Sequence, residues 1–395
     1  MRVLAILALC IPCMADPRLD ALRDLLTSMR GKPPAEDKVR GASPKLTAAK
    51  HQLRDWIESR MSDFAIDGDP SELASRLSNE LRQAGLLCGW DAKETQCPEW
   101  WQLGFLSKIE FRRSGGFLIL ITHTGIECGF DDSAYLYGWS PDDHWRRVWQ
   151  TEQNTYTEKG YKPQSLQSVQ ISPYSQSNDY LILTLGSRPW CSSNWHPVYY
   201  RVFRPGPDPE AKPLVEGEDW AFISAPIEGS ITTTDALIEF SISSVDGGVH
   251  NRKLIRHYQI DHDKVIRIDP LALSPRDFVD EWLAHNWTPE VLRWTEQAAR
   301  LNSRAWHEKL HKELVSGQFI YPTTHCKTSP DLWQVGIDFS DPPTPYDKPP
   351  VGTYFIVRWR PPYRFTMVRV SDRADPKCIE EDRDADEPRT LFPNH

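Results

Sequence analysis

The stretch Gly116–Cys128, GFLILITHTGIEC, is matched further along the chain by Asp179–Cys191, DYLILTLGSRPWC. An aromatic residue, a Leu-Ile-Leu run and a cysteine fall in register in the two copies. Two segments that align in this way indicate that one supersecondary unit is used at least twice. Short apolar runs bounded by Gly, Asp and Pro are typical of buried strands, so the repeated unit is predicted to be built from β-strands.

Three such units are predicted between residues 100 and 273, the third without the cysteine. Each contains four strands separated by Gly, Pro, Asn or Asp. Four antiparallel strands per unit resemble the blades of a propeller, whose stacked sheets bury a face that one meander would expose. The predicted strands are Ile109–Phe111, Phe117–Thr122, Ala134–Trp139 and Trp145–Trp149; Val169–Ile171, Tyr180–Leu185, Val198–Phe203 and Leu214–Val215; Ile231–Thr233, Ala236–Ile242, Lys253–Ile260 and Val265–Ile268.

Helical patterns flank this repeated region. The predicted order is a signal peptide (1–15), a linker (16–45) with an initial helical turn, and a helical segment (46–99) whose second helix is capped by Ser71. The antiparallel β domain (100–273) follows, then a small α+β domain (274–371) and an acidic tail (372–395). In the α+β domain one helix from Pro289 to Gly317 precedes three strands, which could alternatively supply a fourth blade. The fold class is therefore mainly β with α+β.

Composition excludes several classes of function. The chain has 395 residues, a net charge of −9 and interleaved acidic and basic residues, so no basic stripe is available to follow a phosphate backbone. A nucleic-acid partner is not expected. Outside the predicted signal peptide, no apolar run reaches the roughly 20 residues that a membrane-spanning helix needs. No cofactor is expected either, because the sequence contains no phosphate loop, dinucleotide fingerprint or calcium loop.

The first 15 residues, MRVLAILALCIPCMA, have one positive charge, an apolar run and a small residue before Asp16, the order of a secretory signal peptide. We therefore expect a secreted or periplasmic protein. Removal of this leader leaves six cysteines, an even number that suits an oxidising compartment. The expected disulfides are Cys88–Cys97, Cys128–Cys191 and Cys326–Cys378, although six cysteines allow about 15 connectivities.

The sequence His307-Glu308-Lys309-Leu310-His311 places two histidines one helical turn apart around a glutamate. In zinc peptidases this spacing lets both imidazoles bind the metal while the glutamate acts as general base. The alternative is a surface helix whose buried stripe is Trp306, Leu310 and Leu314. The histidines then flank the stripe, and this interpretation is favoured because Leu314 occupies the position where the extended motif has Gly.

Paired carboxylates raise the possibility of a glycosidase. Asp142-Asp143-His144 and Asp261-His262-Asp263 both fall between the third and fourth strands of a unit, where Asp favours turns. Turn chemistry is the preferred interpretation of both clusters. Asp131-Asp132 is predicted to lie in an irregular loop, and a catalytic role of these two carboxylates stays an alternative.

Aromatic residues gather in and beside the loops of the first two units, and exposed aromatic rings suit sugars or peptide side chains. The candidate ligand-binding residues are Trp190, Trp195, Tyr137 and Trp139. The preferred function is an exported binding protein that recognises a carbohydrate or a protein surface. The alternatives are a secreted hydrolase, as a metallopeptidase or glycosidase, and an envelope structural or assembly protein. The ligand, the closure of the β units and the oligomeric state are not specified by the sequence.

Overall fold

The computed structural model describes residues 16–29, 44–88, 105–126, 129–152, 163–175, 179–189, 195–222, 227–242, 252–327, 329–340, 351–378 and 380–381. The chain divides into two compact units. The N-terminal unit comprises residues 1–165, 189–191 and 206–211, and the C-terminal unit comprises residues 166–188, 192–205 and 212–395. The predicted domain boundaries at residues 100 and 274 stay predictions.

Three helices open the N-terminal unit: α1 (Pro17–Met29), α2 (Pro44–Met61) and α3 (Pro70–Gln83). The first is a full helix where the sequence predicts a single turn, because leucines spaced three and four apart give it a buried face. The cap of α3 is Asp69 and not Ser71: the Asp69 carboxylate accepts the Ser71 backbone N–H at 2.8 Å. Pro70 then occupies the first helical turn, where its missing N–H costs nothing.

The first sheet is an antiparallel meander in the order β1 (Phe105–Ser114), β2 (Phe117–Ile126), β3 (Gly129–Trp139) and β4 (Trp145–Thr151). The quoted stretch forms β2, which is buried along nearly all its length. Apolar side chains of β1–β4 and of α1–α3 form one core, in which Trp56, Leu77 and Leu118 are almost inaccessible to solvent.

The C-terminal unit begins with two further meanders. They consist of β5 (Ser165–Ile171), β6 (Ile182–Ser187), β7 (Trp195–Phe203) and β8 (Val215–Phe222), then β9 (Glu228–Ile231), β10 (Asp235–Ile242), β11 (Arg252–Asp261) and β12 (Lys264–Arg267). The two sheets share one apolar core. The second copy of the repeat supplies β6, which has the same place in its sheet as β2. The predicted mainly β fold of repeated four-strand meanders is confirmed.

Short helices separate the third and fourth sheets: α4 (Pro275–Ala284), α5 (Pro289–Arg293), a 3₁₀ turn at Gln297–Ala299, α6 (Arg300–Leu310) and a 3₁₀ helix at His311–Ser316. The single helix predicted from Pro289 to Gly317 is wrong. The chain leaves helical geometry at Trp294–Glu296, because the Trp294 carbonyl and the Glu296 N–H bond to the backbone of Met367.

The fourth sheet has the order β16-β15-β14-β13-β17. Its strands are β13 (Gln318–Cys326), β14 (Ser329–Asp338), β15 (Thr353–Arg360), β16 (Arg364–Ser371) and β17 (Glu380–Glu381). Three of them are predicted from the sequence, whereas β13 is not. With β13, the fourth sheet is a meander like the other three, and β17, from the predicted acidic tail, pairs with β13.

Both Asp/His clusters lie in turns between the last two strands of a sheet. Asp143 and His262 have φ angles of 59° and 52°, a conformation that non-glycine residues adopt mainly in tight turns. In the first turn the Asp143 N–H donates to the Ser140 carbonyl at 3.1 Å. The turn interpretation of the two clusters therefore agrees with the backbone.

Cys326 and Cys378 form a disulfide that joins the end of β13 to the segment after β16. Cys88 is also disulfide-bonded. The expected partners Cys97, Cys128 and Cys191 lie outside the described residues, as does the predicted signal peptide. In the part of the chain that the structure describes, no helix is both long and apolar enough to cross a bilayer.

Charged side chains form a buried network within the C-terminal unit. Arg252, Arg256 and Arg267, from β11 and β12, face α4, where Glu281 accepts from all three guanidinium groups at 2.5–2.8 Å. Asp280 binds Arg252 at 2.6 Å. Because the network is closed to solvent, we interpret it as a structural link between α4 and the third sheet.

Candidate functional site

A row of polar side chains lies between α2 and β3, and we call it the polar ladder. Its members are Lys50, Arg54 and Glu58 on α2 and Asp131, Tyr135 and Tyr137 on β3. Helix residues four apart are separated by about 6 Å along the axis, and strand residues two apart by about 7 Å. These similar spacings let Arg54 and Glu58 face Tyr135 and Tyr137, while the apolar stripe of α2 packs among the helices.

The ladder is fully buried at one end. The Lys50 ammonium lies 2.9 Å from a carboxylate oxygen of Asp131, and the two side chains are 1% and 0% exposed. A buried pair of opposite charges is tolerated because each ion compensates the desolvation of the other. Asp131 therefore has a structural partner and is closed to any ligand in solution.

Glu152, directly after β4, occupies the middle of the ladder. Its carboxylate accepts from the Tyr135 hydroxyl at 2.6 Å and pairs with Arg54 at 3.3 Å and with His51 at 2.7 Å. Burial, together with the Glu152 charge, raises the pKa of Tyr135 well above its ordinary value. Tyr135 is thus a permanent hydrogen-bond donor to Glu152.

The other end of the ladder opens into a pocket of about 350 Å³. One oxygen of Glu58, Oε1, accepts from Arg147 at 2.7 Å and from the Tyr137 hydroxyl at 3.1 Å. The side chains of Glu58 and Arg147 are 32% and 25% exposed. Among the described residues no donor reaches the second oxygen, Oε2, so the pocket offers a carboxylate acceptor beside a guanidinium donor.

Further residues complete the pocket wall. His144 and Arg146 come from the β3–β4 turn and the start of β4, and Trp145 anchors that turn by donating its indole N–H to the Phe64 carbonyl at 3.0 Å. Arg146 has no carboxylate partner among the described residues. The pocket therefore combines one paired acid with an additional cation, a composition that suits a polar ligand with hydroxyl or acidic groups.

The acidic groups of the pocket differ from the pair that glycosidases generally use. Glycosidases generally use two carboxyl groups about 5–10 Å apart. Within the described residues, Glu58 is the one acidic side chain that lines this pocket. Burial and the neighbouring Glu58 raise the pKa of Tyr137 well above its ordinary value, so its hydroxyl donates a hydrogen bond and does not act as a base.

Two of the four predicted aromatic residues, Tyr137 and Trp139, have described side chains, and neither is fully exposed. Tyr137 is 1% exposed, because α2 covers the face of β3 on which it lies. Trp139 is half-buried and meets Trp145 edge to face, with ring centroids 5.2 Å apart. Trp195 pairs with Phe222 through the β7–β8 backbone, and Trp190 lies outside the described residues. Of the two with described side chains, Tyr137 lines the pocket and Trp139 does not.

The predicted metal ligands make other contacts. His307 Nε2 lies 2.9 Å from the Trp282 carbonyl, and His311 Nδ1 lies 2.6 Å from the Leu283 carbonyl. These carbonyls belong to the last turn of α4, where helix carbonyls lack partners within the helix. The two imidazoles therefore cap α4 by donating to it.

Glu308 points away from this pair of histidines. It is exposed and binds Arg304 one turn earlier at 2.8 Å. The described residues contain no group of three His, Cys, Asp or Glu side chains arranged to hold a metal ion. The geometry thus gives no support to the zinc-peptidase interpretation of this motif.

Asp131 and Asp132 lie in strand β3, and the predicted irregular loop is wrong. Asp132 faces the opposite side of the sheet, where it lies 3.0 Å from Nδ1 of His123. Nε2 of the same imidazole approaches Glu110 at 3.5 Å. Burial lowers the pKa of His123, but the two carboxylates, Asp132 first, raise it overall. His123 therefore binds both acids, and Asp132 has a partner within its own sheet.

The polar ladder was not predicted from the sequence. Its signal is present, since Lys50, Arg54 and Glu58 recur every fourth residue opposite the apolar stripe of α2. The same spacing is typical of a solvated helix face. Only the three-dimensional pairing of α2 with β3 distinguishes the polar ladder from a solvated helix face.

Comparison with known proteins yields no family: no family model matches the chain, and no curated protein matches it in sequence. Several solved structures are weakly similar, among them the following two. One, a complex described by the names BT0996 and RGII, shares 7% identity and a TM-score of 0.21, over 74% of this protein and 93% of its own length. Another, described as "Glycoside hydrolase", shares 7% identity and a TM-score of 0.21, over 75% of this protein and 92% of its own length.

Proposed function

We propose that the protein is an exported carbohydrate-binding protein and that the open end of the polar ladder is its sugar site. The observation that carries the proposal is the arrangement of Glu58, Arg147 and Tyr137 around one pocket. Neighbouring sugar hydroxyls both donate and accept, so an acceptor beside a donor recognises them as a pair. Arg146, without a carboxylate partner among the described residues, favours a sugar that carries an acidic group.

Export is part of the same proposal. The Cys326–Cys378 disulfide supports an oxidising compartment, because disulfides persist mainly outside the cytosol. The N-terminal apolar segment in the sequence supports the same location. Carbohydrate is chosen over a protein surface because the pocket is concave and polar and lacks the apolar centre that protein interfaces use.

The test is a glycan array that includes neutral sugars and uronic acids, followed by calorimetric titration of the strongest ligand. We expect Glu58→Gln to weaken binding about tenfold or more, since a hydrogen bond to a charged group contributes roughly 1.5–3 kcal/mol. Tyr137→Phe should weaken binding less, because the Tyr137 hydroxyl acts through its hydrogen bond to Glu58. Uronic acids should bind Arg146→Gln more weakly than the unmodified protein.

Two substitutions are matched controls. Glu308→Gln removes the acid of another surface ion pair, and Tyr174→Phe removes an exposed hydroxyl; neither residue lines the pocket. Both should bind the sugar like the unmodified protein, and thermal melting should show every variant folded. Absence of any glycan ligand, or equal affinity of Glu58→Gln and Glu308→Gln, would refute the proposal and favour a hydrolase or an envelope assembly protein.

A further inference from the structure

A second cavity, of about 350 Å³, lies within the C-terminal unit, between the start of α6 and strands β14–β16. Its volume is at the small end of the roughly 300–1,000 Å³ that is typical of ligand sites. It is independent of the pocket beside α2, because every residue that lines it belongs to the C-terminal unit.

The floor of this cavity is apolar. It is formed by Leu332, Ile356 and Val368 together with the Cys326–Cys378 disulfide, and these residues make one small hydrophobic cluster. The cluster is separate from the main core of the unit. An apolar floor that borders a cavity favours a ligand with a hydrocarbon part.

The rim is charged, and its acids are already neutralised. Glu296 binds Arg358 at 2.7 Å, and Asp375 binds Arg369 at 2.6 Å. The remaining charged group on the rim is Lys377, which helps to lower the pKa of Asp375 but forms no salt bridge within 4 Å among the described residues. The rim therefore holds one cation that is available to an anionic ligand.

One residue that lines this cavity carries a buried hydroxyl. Ser303, in the first turns of α6, is 1% exposed, and its Oγ has no hydrogen-bond partner in the part of the chain that the structure describes. A buried polar atom without a partner is unfavourable by about 1–3 kcal/mol unless a ligand or water satisfies it. Ala299, the residue before α6, provides no side-chain cap, and the positive end of the helix dipole favours an anion there.

We propose that this cavity binds a small monocarboxylate with an unbranched hydrocarbon chain. The chain lies on the Leu332–Ile356–Val368 floor, and the carboxylate binds Lys377 and accepts a hydrogen bond from Ser303. The site takes this ligand whether or not the pocket beside α2 binds a sugar.

Calorimetric titration of the full-length protein with butanoate, hexanoate, octanoate and dodecanoate tests the proposal. Affinity should rise about fourfold for each added methylene until the cavity is filled, since each buried methylene contributes a roughly constant free energy. Octylamine, with the same hydrocarbon chain and the opposite charge, should bind at least about tenfold more weakly than octanoate. Equal affinities for octanoate and octylamine, or no binding of octanoate, would overturn the proposal.

Variants separate the two parts of the site. Lys377→Gln should weaken octanoate binding about tenfold, and Ser303→Ala should weaken it less, whereas Lys312→Gln removes an exposed lysine elsewhere and should have no effect. Ala298→Trp places a large ring at the exposed rim and should abolish binding without disturbing the core. Unchanged octanoate affinity in both Lys377→Gln and Ala298→Trp would place the ligand elsewhere and refute the assignment.

Discussion

The imidazole of His307 is 1% exposed, and its surroundings determine its charge. Burial lowers the pKa of His307 to about 4, although its hydrogen bond to the Trp282 carbonyl acts in the opposite direction. The folded state therefore holds a neutral imidazole, while an unfolded chain binds a proton near pH 6.5. The contact by which His307 caps α4 thus carries a pH dependence.

We expect the free energy of unfolding to be largest above pH 6.5 and to decrease as the pH falls toward about 4, because the unfolded chain takes up the proton first. His307→Gln keeps a donor for the Trp282 carbonyl but does not titrate, so this decrease should shrink. Urea denaturation at a series of pH values measures it.

The control is His262→Asn, which replaces an exposed histidine in a turn with a residue that tolerates positive φ. This variant should keep the decrease between pH 6.5 and 4. An unchanged pH dependence in His307→Gln would show that another group is responsible.

Helix α4 is held by two sets of contacts. The histidines cap its carboxyl end, and the buried ionic network lies along its side. Burial alone would raise the pKa of Glu281, but Arg256, Arg267 and Arg252 together hold it well below its ordinary value of 4.5. A depressed carboxyl pKa stabilises the fold above the unfolded pKa, and this stabilisation is lost as the pH falls further.

Glu281→Gln should therefore lower the free energy of unfolding at neutral pH by about 3–5 kcal/mol, since it leaves buried guanidinium groups without their shared acid. The same variant should lose less stability than the unmodified protein when the pH drops below 4.5. Denaturant titrations at neutral and acidic pH measure both effects. Glu308→Gln, an exposed acid in an ion pair, is the control and should change stability by less than about 1 kcal/mol; a similar loss in both variants contradicts the interpretation.

Elements whose signal is local were predictable from the sequence. The run that forms β2 and its copy in β6 are predictable because each is a short apolar run bounded by turn residues within a few positions. The break between α5 and α6 was missed, because its cause is a pairing with Met367, more than seventy residues away. Asp131 was misplaced for the same reason: its burial depends on Lys50, in a helix that the local sequence does not connect to it.

The Cys326–Cys378 disulfide connects positions 52 residues apart and so constrains the chain over a long range. Closing a loop of this length should stabilise the folded chain by about 4 kcal/mol through the reduced entropy of the unfolded state. We expect the double variant Cys326→Ala/Cys378→Ala to lower the free energy of unfolding by up to that amount under oxidising conditions.

Reduction provides the internal control for this variant. Because Cys88 is also disulfide-bonded, a reductant should destabilise both proteins, but it should destabilise the unmodified protein more. Equal effects of the reductant on the two proteins would show that the Cys326–Cys378 bond contributes nothing measurable. Denaturant titration with and without reductant measures the free energy of unfolding of both proteins under both conditions.

The polar ladder has one further consequence for the pocket at its open end. Because α2 is fixed by apolar contacts on one side and by Lys50 and Arg54 on the other, Glu58 is held in place before any ligand arrives. A preorganised site loses little conformational entropy on binding. Association with a sugar should therefore be a single fast step without a slow rearrangement, and most of the affinity difference between sugars should lie in their dissociation rates.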